Sequence, residues 1–194
     1  MEHPNVYFSV DVEADGPIPG PYSMSSFGMA VAGTFSAGRF TPADPVRETF
    51  YAELRPISDA FDPRAASVSG LDRATLIREG RDPQEAMTAC AKWVVKVAAG
   101  RYPVFAAYPL GFDWMWMYWY YVRFADAGSP FDYSRAFDMK TMYALKAGVP
   151  ISQAGLTRLP DVLRSKRDHT HNALDDAIEQ ADILANLFAW AGTN

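Results

Sequence analysis

The chain has 194 residues, of which 49% are hydrophobic and 21% charged, with a formal net charge of −5. These are the dimensions of one ordinary globular domain, long enough to bury roughly 70% of its unfolded surface without a covalent staple. A single cysteine, Cys90, excludes an internal disulfide, and the acidic balance argues against a protein that holds nucleic acid by a broad basic surface alone. Met1 to Asn5 lacks the basic and apolar regions of a secretory signal, and the longest apolar stretch, Trp114 to Val122, is too short to span a bilayer. The expectation is a cytoplasmic protein with no membrane contact and one domain over residues 1–194. The most concentrated basic cluster, Arg158 with Arg164, Lys166 and Arg167, is modest. If such a chain handles phosphates, bound cations must supply the local positive charge.

Asn5 to Glu13 alternates strictly, with Val6, Phe8, Val10 and Val12 on one side and Tyr7, Ser9, Asp11 and Glu13 on the other. Period two predicts a half-buried strand. Asp11 and Glu13 then project from one face near its end, about 7 Å apart along it. Two such carboxylates repel each other unless a proton or a cation intervenes, or water beyond the sheet edge solvates both. The run from Ala14 to Pro21 carries three prolines and two glycines and predicts a loop.

Ser25 to Phe35 and Arg47 to Ile57 read as strands, joined by a hairpin connection over Thr34 to Pro45. Asp82 to Ala99 reads as a helix with Ala86, Ala89, Trp93 and Val97 in one stripe, stopped by Gly100. Tyr102 to Ala107 is a short apolar strand. Phe112 to Ala125 reads as a helix that is aromatic or apolar all round (Trp114, Trp116, Tyr118, Trp119, Tyr120 and Tyr121 among others), which implies burial on every side. One face is expected in the core and the other at a homodimer contact. A brief strand over Arg135 to Phe137, a helix from Met139 to Ala147 capped by Asp138, and a last helix from about Asn172 to Ala191 complete the chain. Strands first, then strands alternating with helices, predict an α/β fold with a mixed sheet flanked by helices.

In the last helix, Asp175, Glu179, Asp182 and Asn186 form one polar stripe, read as a solvated face that supports solubility and the helix only. Asp176 stands apart, in a largely apolar row with Ala173, Gln180, Ile183 and Leu187. A carboxylate there serves either the helix dipole or a metal ion. His171 precedes it by five positions, a divergence of roughly 140° within a helix, so it must lie at or before the helix start to share a site with Asp176.

Taken in order, Asp-x-Glu at a strand end (Asp11, Glu13), Gly-Phe-Asp opening a helix (Gly111, Phe112, Asp113) and His-x4-Asp (His171, Asp176) resemble the DEDDh exonucleases of the DnaQ-like, ribonuclease H-like superfamily. Val68-Ser69-Gly70-Leu71 with Ala74-Thr75-Leu76 and Gly80 is similar to that family's segment between sheet and helix. The likeness spans nearly the whole chain. It implies a mixed five-stranded sheet and a 3′–5′ exonuclease acting on the 3′ end of RNA or single-stranded DNA with two divalent cations, Mg²⁺ or Mn²⁺. By the same resemblance Asp11, Glu13 and Asp176 hold the first ion, Asp11 is shared with the second, and Asp113 acts largely through a water ligand. His171 is the implied general base.

Hard cations prefer carboxylate oxygens, and a pair about 3.5–4 Å apart suits in-line displacement at phosphorus. A histidine with a pKa near 6.5 can accept a proton near neutrality. Two places depart from the family pattern: Tyr108-Pro109 stands where His-Asn is usual, and Asp15-Gly16 where Thr-Gly is usual. Pro17, Ile18 and Tyr22 are expected to shape the pocket for the terminal nucleotide, with Tyr22 able to stack on a base; a merely rigid loop is the alternative. The rival to the enzyme is a catalytically silent nucleic-acid- or protein-binding module that retains the fold. An endonuclease with the same carboxylates is disfavoured by His-x4-Asp.

Overall fold

The computed structural model describes residues 4–193, and its architecture follows from where β1 (Asn5–Ala14) sits. β1 pairs antiparallel with β2 (Met24–Ser36) on one side and parallel with β5 (Tyr102–Ala107) on the other; β5 pairs parallel with the short β6 (Ala136–Asp138). The far edge of β2 is shared. β4 (Thr49–Glu53) pairs with residues 26–30 and β3 (Arg39–Pro42) with residues 33–36. The expected five-stranded mixed sheet thus has its five positions, but six strands fill them. The extra strand, β3, lies within what the pattern read as a hairpin connection, and β4 is shorter than the expected 47–57. Pro42 and Pro45 bracket the break; neither can donate to a ladder, so the edge cannot continue through them.

The alternation of β1 sorts the core into two layers. Val6, Phe8, Val10 and Val12 pack with Ala86, Met87, Cys90 and Val94 of α3 (Pro83–Ala98) and with Trp116, Met117, Tyr120 and Tyr121 of α4 (Leu110–Phe124). On the opposite face Tyr7 packs with α5 (Met139–Ala147) and α6 (Ala173–Ala189) and makes edge-on contacts with Phe40, Phe137 and Phe188. Two short helices, α1 (Pro63–Ala66) and α2 (Arg73–Glu79), lie between β4 and α3.

The aromatic helix α4 is not buried on every side. Trp116, Tyr120 and Tyr121 are buried, and their polar ends are partly used: Tyr120 Oη accepts the Met24 N–H at 2.7 Å, and Tyr121 Oη lies 3.0 Å from Cys90 Sγ. On the other side Trp114 stacks on Tyr118 at 4.9 Å between centroids, and Val122 is 62% exposed. An expected homodimer contact would have to form on that side.

One close approach positions the site. Gly28 of β2 is registered opposite Asp11, and a Cβ there would lie 2.3 Å from the Ala173 carbonyl oxygen and 2.4 Å from Leu174 Cα. The first turn of α6 therefore rests directly on the backbone of β2, next to the strand that carries Asp11 and Glu13. Because the obstacle is backbone, no rotamer change relieves it. Gly28→Ala is expected to lift α6 from the sheet at a cost of about 1–3 kcal/mol, which for a chain of this size lowers Tm by roughly 2–4 °C per kcal/mol, and to weaken Mn²⁺ binding. Calorimetry and a Mn²⁺ titration check both; if neither changes, the contact is not what seats Asp176.

Candidate active site

Four carboxylates meet where the parallel strands end, the usual ligand position in α/β sheets. Asp11 and Glu13 come from the last turn of the β1 pleat and Asp176 from the first turn of α6. One oxygen of each lies within 4.8 Å of the others. Asn172 caps α6, its side chain accepting the N–H groups of Leu174 and Asp175, so Asp176 sits at the positive end of the helix dipole. Asp113 arrives from α4. β5 stops pairing with β1 after Ser9 and Ala106, and the Val12 N–H beyond that point donates instead to Asp113 Oδ1 at 3.0 Å. Glu13, Asp113 and Asp176 are buried, and Asp11 is half-buried.

His171 lies one residue before the Asn172 cap, exposed, with a left-handed backbone (φ 58°). Its ring meets that of His169 edge-on at 4.7 Å. His169, which pattern reading passed over, points its Nδ1 at Asp176 (3.2 Å to Oδ1) and at Glu179 (2.9 Å to Oε2). Gln180 was visible only as a polar residue in the apolar row of Asp176. It is buried and uses both ends of its amide, Nε2 donating to Asp11 Oδ1 at 2.8 Å and Oε1 accepting the Tyr108 N–H at 2.9 Å. Nothing in a single sequence distinguishes such a clamp from a stray core glutamine.

The polar stripe of α6 needs correction, because it is not simply solvated. Asp182 binds Ser165 Oγ (2.8 Å) and Arg167 Nε (3.1 Å), Asn186 Nδ2 donates to the carbonyls of Leu163 and Arg164, and Glu179 faces His169. The segment before α6 folds back over this stripe. In the same way Arg164 and Arg167 are held by the protein, Arg164 by the carbonyls of Thr157 and Leu159.

Of the three residues expected at a pocket, Pro17 lines a cleft of about 370 Å³ beside Glu13, whose walls include Gly16, Asp62, Val68 and Phe112. Ile18 is 46% exposed, outside that lining. Tyr22 is half-buried against the core, and its ring covers Gly16, where a Cβ would fall 2.1 Å away. Asp15, the departure from Thr in the family pattern, faces away from the carboxylate cluster. It is buried, accepts the Ser23 N–H at 2.6 Å and pairs with Arg73 of α2, which also donates to the Ser58 carbonyl.

Burial pushes the Asp11 carboxyl up to about 8, helped by the negative charges of Glu13 and Asp176; the Gln180 hydrogen bond and His169 act the other way. Burial and Asp176 raise Glu13 to about 7. Asp113 is held well above the usual range by burial and by Asp11, against the pull of the Val12 N–H. For His169, burial favours the neutral ring but is outweighed by the Glu179 hydrogen bond and the charges of Asp176, Glu179 and Asp11, so the net shift is upward. Among the described residues no Arg or Lys pairs with Asp11, Glu13, Asp113 or Asp176. Buried oxygen donors with unmatched charge fit a divalent cation.

Raised carboxyl pKa values make the folded chain bind more protons than the unfolded one between about pH 4 and 8. The stability that Asp11 and Glu13 contribute to the metal-free protein is accordingly fully present below their unfolded pKa values of 3.8 and 4.5 and is lost as pH rises toward about 8. Thermal melts in chelator are expected to show Tm falling from pH 5 to pH 8, with Mg²⁺ or Mn²⁺ restoring it and Asp11→Asn flattening the slope; a flat profile for the native chain contradicts this. Gln180→Leu is expected to fold and to weaken Mn²⁺ binding by about 10–100-fold, as loss of a ligand's supporting hydrogen bond does. Unaltered affinity by Mn²⁺ resonance titration removes the clamp from the site.

The comparisons with known proteins agree with this geometry. The family model described as the 3′-5′ exoribonuclease Rv2179c-like domain matches residues 39–188. That span begins after Asp11 and Glu13, which the fold itself brings to Asp176. A curated Escherichia coli protein, the 3′-5′ DNA exonuclease Cap18, is 36% identical over 184 residues, covering 92% of this chain and 89% of its own. Among solved structures, the nuclease domain of 3′hExo, a DEDDh family member bound to rAMP, matches with a TM-score of 0.69 at 15% identity, over 96% of this chain and 92% of that one. The Mg²⁺- and Mn²⁺-bound form of S. pombe Pop2p matches with a TM-score of 0.60 at 17% identity, over 92% and 81%. The two structural matches show the fold, which is that of the DEDDh family member and ribonuclease H-like, and the family match shows the activity: this chain belongs to the Rv2179c-like 3′–5′ exoribonuclease domain family and is a 3′–5′ exonuclease.

Proposed function

We propose that the chain removes nucleotides from the 3′ end of RNA or single-stranded DNA by a two-metal reaction in which His171 is the general base. The observation that supports this reading best is the meeting of Asp11, Glu13 and Asp176 within 4.8 Å, with Asp113 buried beside Asp11. Asp11, Glu13 and Asp176 would hold one Mg²⁺ or Mn²⁺ ion, and Asp11 with Asp113 would face a second. Bound there, the two ions supply positive charge to the scissile phosphate and lower the pKa of the attacking water.

The remaining work falls to the chain. His171, exposed at the rim and free of the helix, accepts the proton of the attacking water as its oxygen bonds to phosphorus. The bond from phosphorus to the 3′ oxygen breaks and the departing oxygen takes a proton from solvent, leaving a shortened strand with a 3′-hydroxyl and a released nucleoside 5′-monophosphate. The cleft beside Glu13 receives the terminal nucleoside, with Pro17, Val68 and Phe112 as apolar walls. Ile18 and Tyr22 complete the loop around it, Tyr22 fixing its shape through the contact over Gly16. A homodimer through the exposed side of α4, and a cytoplasmic location, belong to the same reading.

The sugar is the open choice, since the family is described by RNA and the Escherichia coli relative by DNA. Incubation of 5′-labelled RNA and DNA oligomers with Mg²⁺, Mn²⁺ or chelator is expected to give a stepwise ladder on one polymer, abolished by chelator. His171→Ala is expected to lose about 10²–10⁴-fold in turnover while keeping Mn²⁺ affinity. Metal binding with both polymers left intact would instead mark a silent binding module.

A further inference from the structure

The segment leading into α6 carries a second set of metal-ligating atoms, in which His169 and Glu179 join the His171 and Asp176 of the proposed reaction. His169, His171 and Asp176 each present a ligand atom within 4.8 Å of the others, and Glu179 lies one helical turn from Asp176 on the same side of α6. His169 Nδ1 is 3.2 Å from Asp176 Oδ1 and 2.9 Å from Glu179 Oε2. Ligands at 2.0–2.1 Å in a tetrahedron are roughly 3.3 Å apart, so these separations match the edges of such a shell.

The backbone holds the arm in place. The Thr170 N–H donates to Asp176 Oδ1 at 2.9 Å, the Asn172 N–H donates to Thr170 Oγ1 at 3.2 Å, and the left-handed turn at His171 sets its ring against that of His169. A non-glycine residue in that conformation is uncommon and costs energy that its surroundings must offset. Solvent reaches the cluster through His169, whose side chain is 42% exposed, while Asp176 is 1% exposed.

We propose that His169, His171, Asp176 and Glu179 form a tetrahedral site for a borderline divalent ion such as Zn²⁺, and that filling it arrests the exonuclease. Imidazole nitrogens favour Zn²⁺ over Mg²⁺, which selects this set against the all-oxygen cluster next to it. The two sites share Asp176, so an ion in one draws a ligand from the other. Coordination also occupies a ring nitrogen of His171. The arrest rests on the reading of His171 as general base; the binding does not.

The test uses the whole chain and ZnCl₂ alone. Calorimetric titration in metal-free buffer, with Co²⁺ absorption as a report of tetrahedral nitrogen–oxygen coordination, is expected to show a site that His169→Ala weakens by at least about tenfold, the scale set by even indirect partners of a metal ligand. His169→Ala is also expected to raise, by the same factor, the Zn²⁺ concentration that halves the variant's own Mg²⁺-dependent cleavage. Zn²⁺ affinity and inhibition identical in the native chain and His169→Ala would overturn the proposal. A chain that binds Zn²⁺ through His169 yet cleaves no oligomer would keep the site and refute the catalytic reading. Cleavage with no histidine-dependent Zn²⁺ binding would do the reverse.

Discussion

Mutual repulsion among Asp11, Glu13, Asp113 and Asp176 is the constraint around which this molecule is arranged. Two unit charges 4 Å apart at an effective dielectric near 20 repel by about 4 kcal/mol, and here burial adds to the penalty. Protonation of the raised carboxyls relieves part of it, and hydrogen bonds at the margins relieve more: the Val12 N–H on Asp113, Gln180 on Asp11, and the Thr170 N–H and His169 on Asp176. The acids stay together because their elements are held elsewhere. β1 is clasped between β2 and β5, and α6 is seated on Gly28 and packed along its length by Ile178, Ala181, Leu184 and Leu187. The strain of the site is thereby borne by an apolar core that spans both faces of the sheet.

The departure at Asp15 fits the same division of labour. Its carboxylate could have joined the cluster as a fifth acid, but it turns away to the Ser23 N–H and Arg73. That pair ties the loop after β1 to α2, and the Arg73 guanidinium also lies over the Phe61 ring, 5.1 Å from its centroid. The wall of the cleft beside Glu13 is consequently fixed by an ion pair separate from the acidic cluster.

The alternation from Val6 to Glu13 and the capped, amphipathic α6 were legible because both are local: a period and a cap can be read within ten residues. The order of the three acidic motifs carried the rest of the site. What sequence pattern could not supply lies in contacts between distant segments. The polar stripe of α6 looks solvated until residues 163–169 fold back onto it, and His169 acquires meaning only from Glu179 and Asp176 beneath it. The edge position shared by β3 and β4 was hidden because β2, at 13 residues, is long enough to serve two short partners. The aromatic run of α4 implies burial all round; within one chain the helix packs one side on the sheet, and on the other side Trp114 and Tyr118 cover each other.

An acidic chain that degrades a polyanion would seem badly matched to its substrate, and the placement of its cations resolves this. Arg164, Arg167 and Arg73 are committed to internal carbonyls and carboxylates, so they form no free stripe along which a long strand could lie. Affinity that came from many phosphate contacts would fall steeply with salt, with a slope near −0.7 per contact for single strands. On the proposed two-metal reading, attraction concentrates where bound divalent ions would reverse the local sign of charge. Such a design would favour an end over a length of polymer. That selectivity suits an exonuclease, and the internal commitments of Arg73, Arg164 and Arg167 favour it.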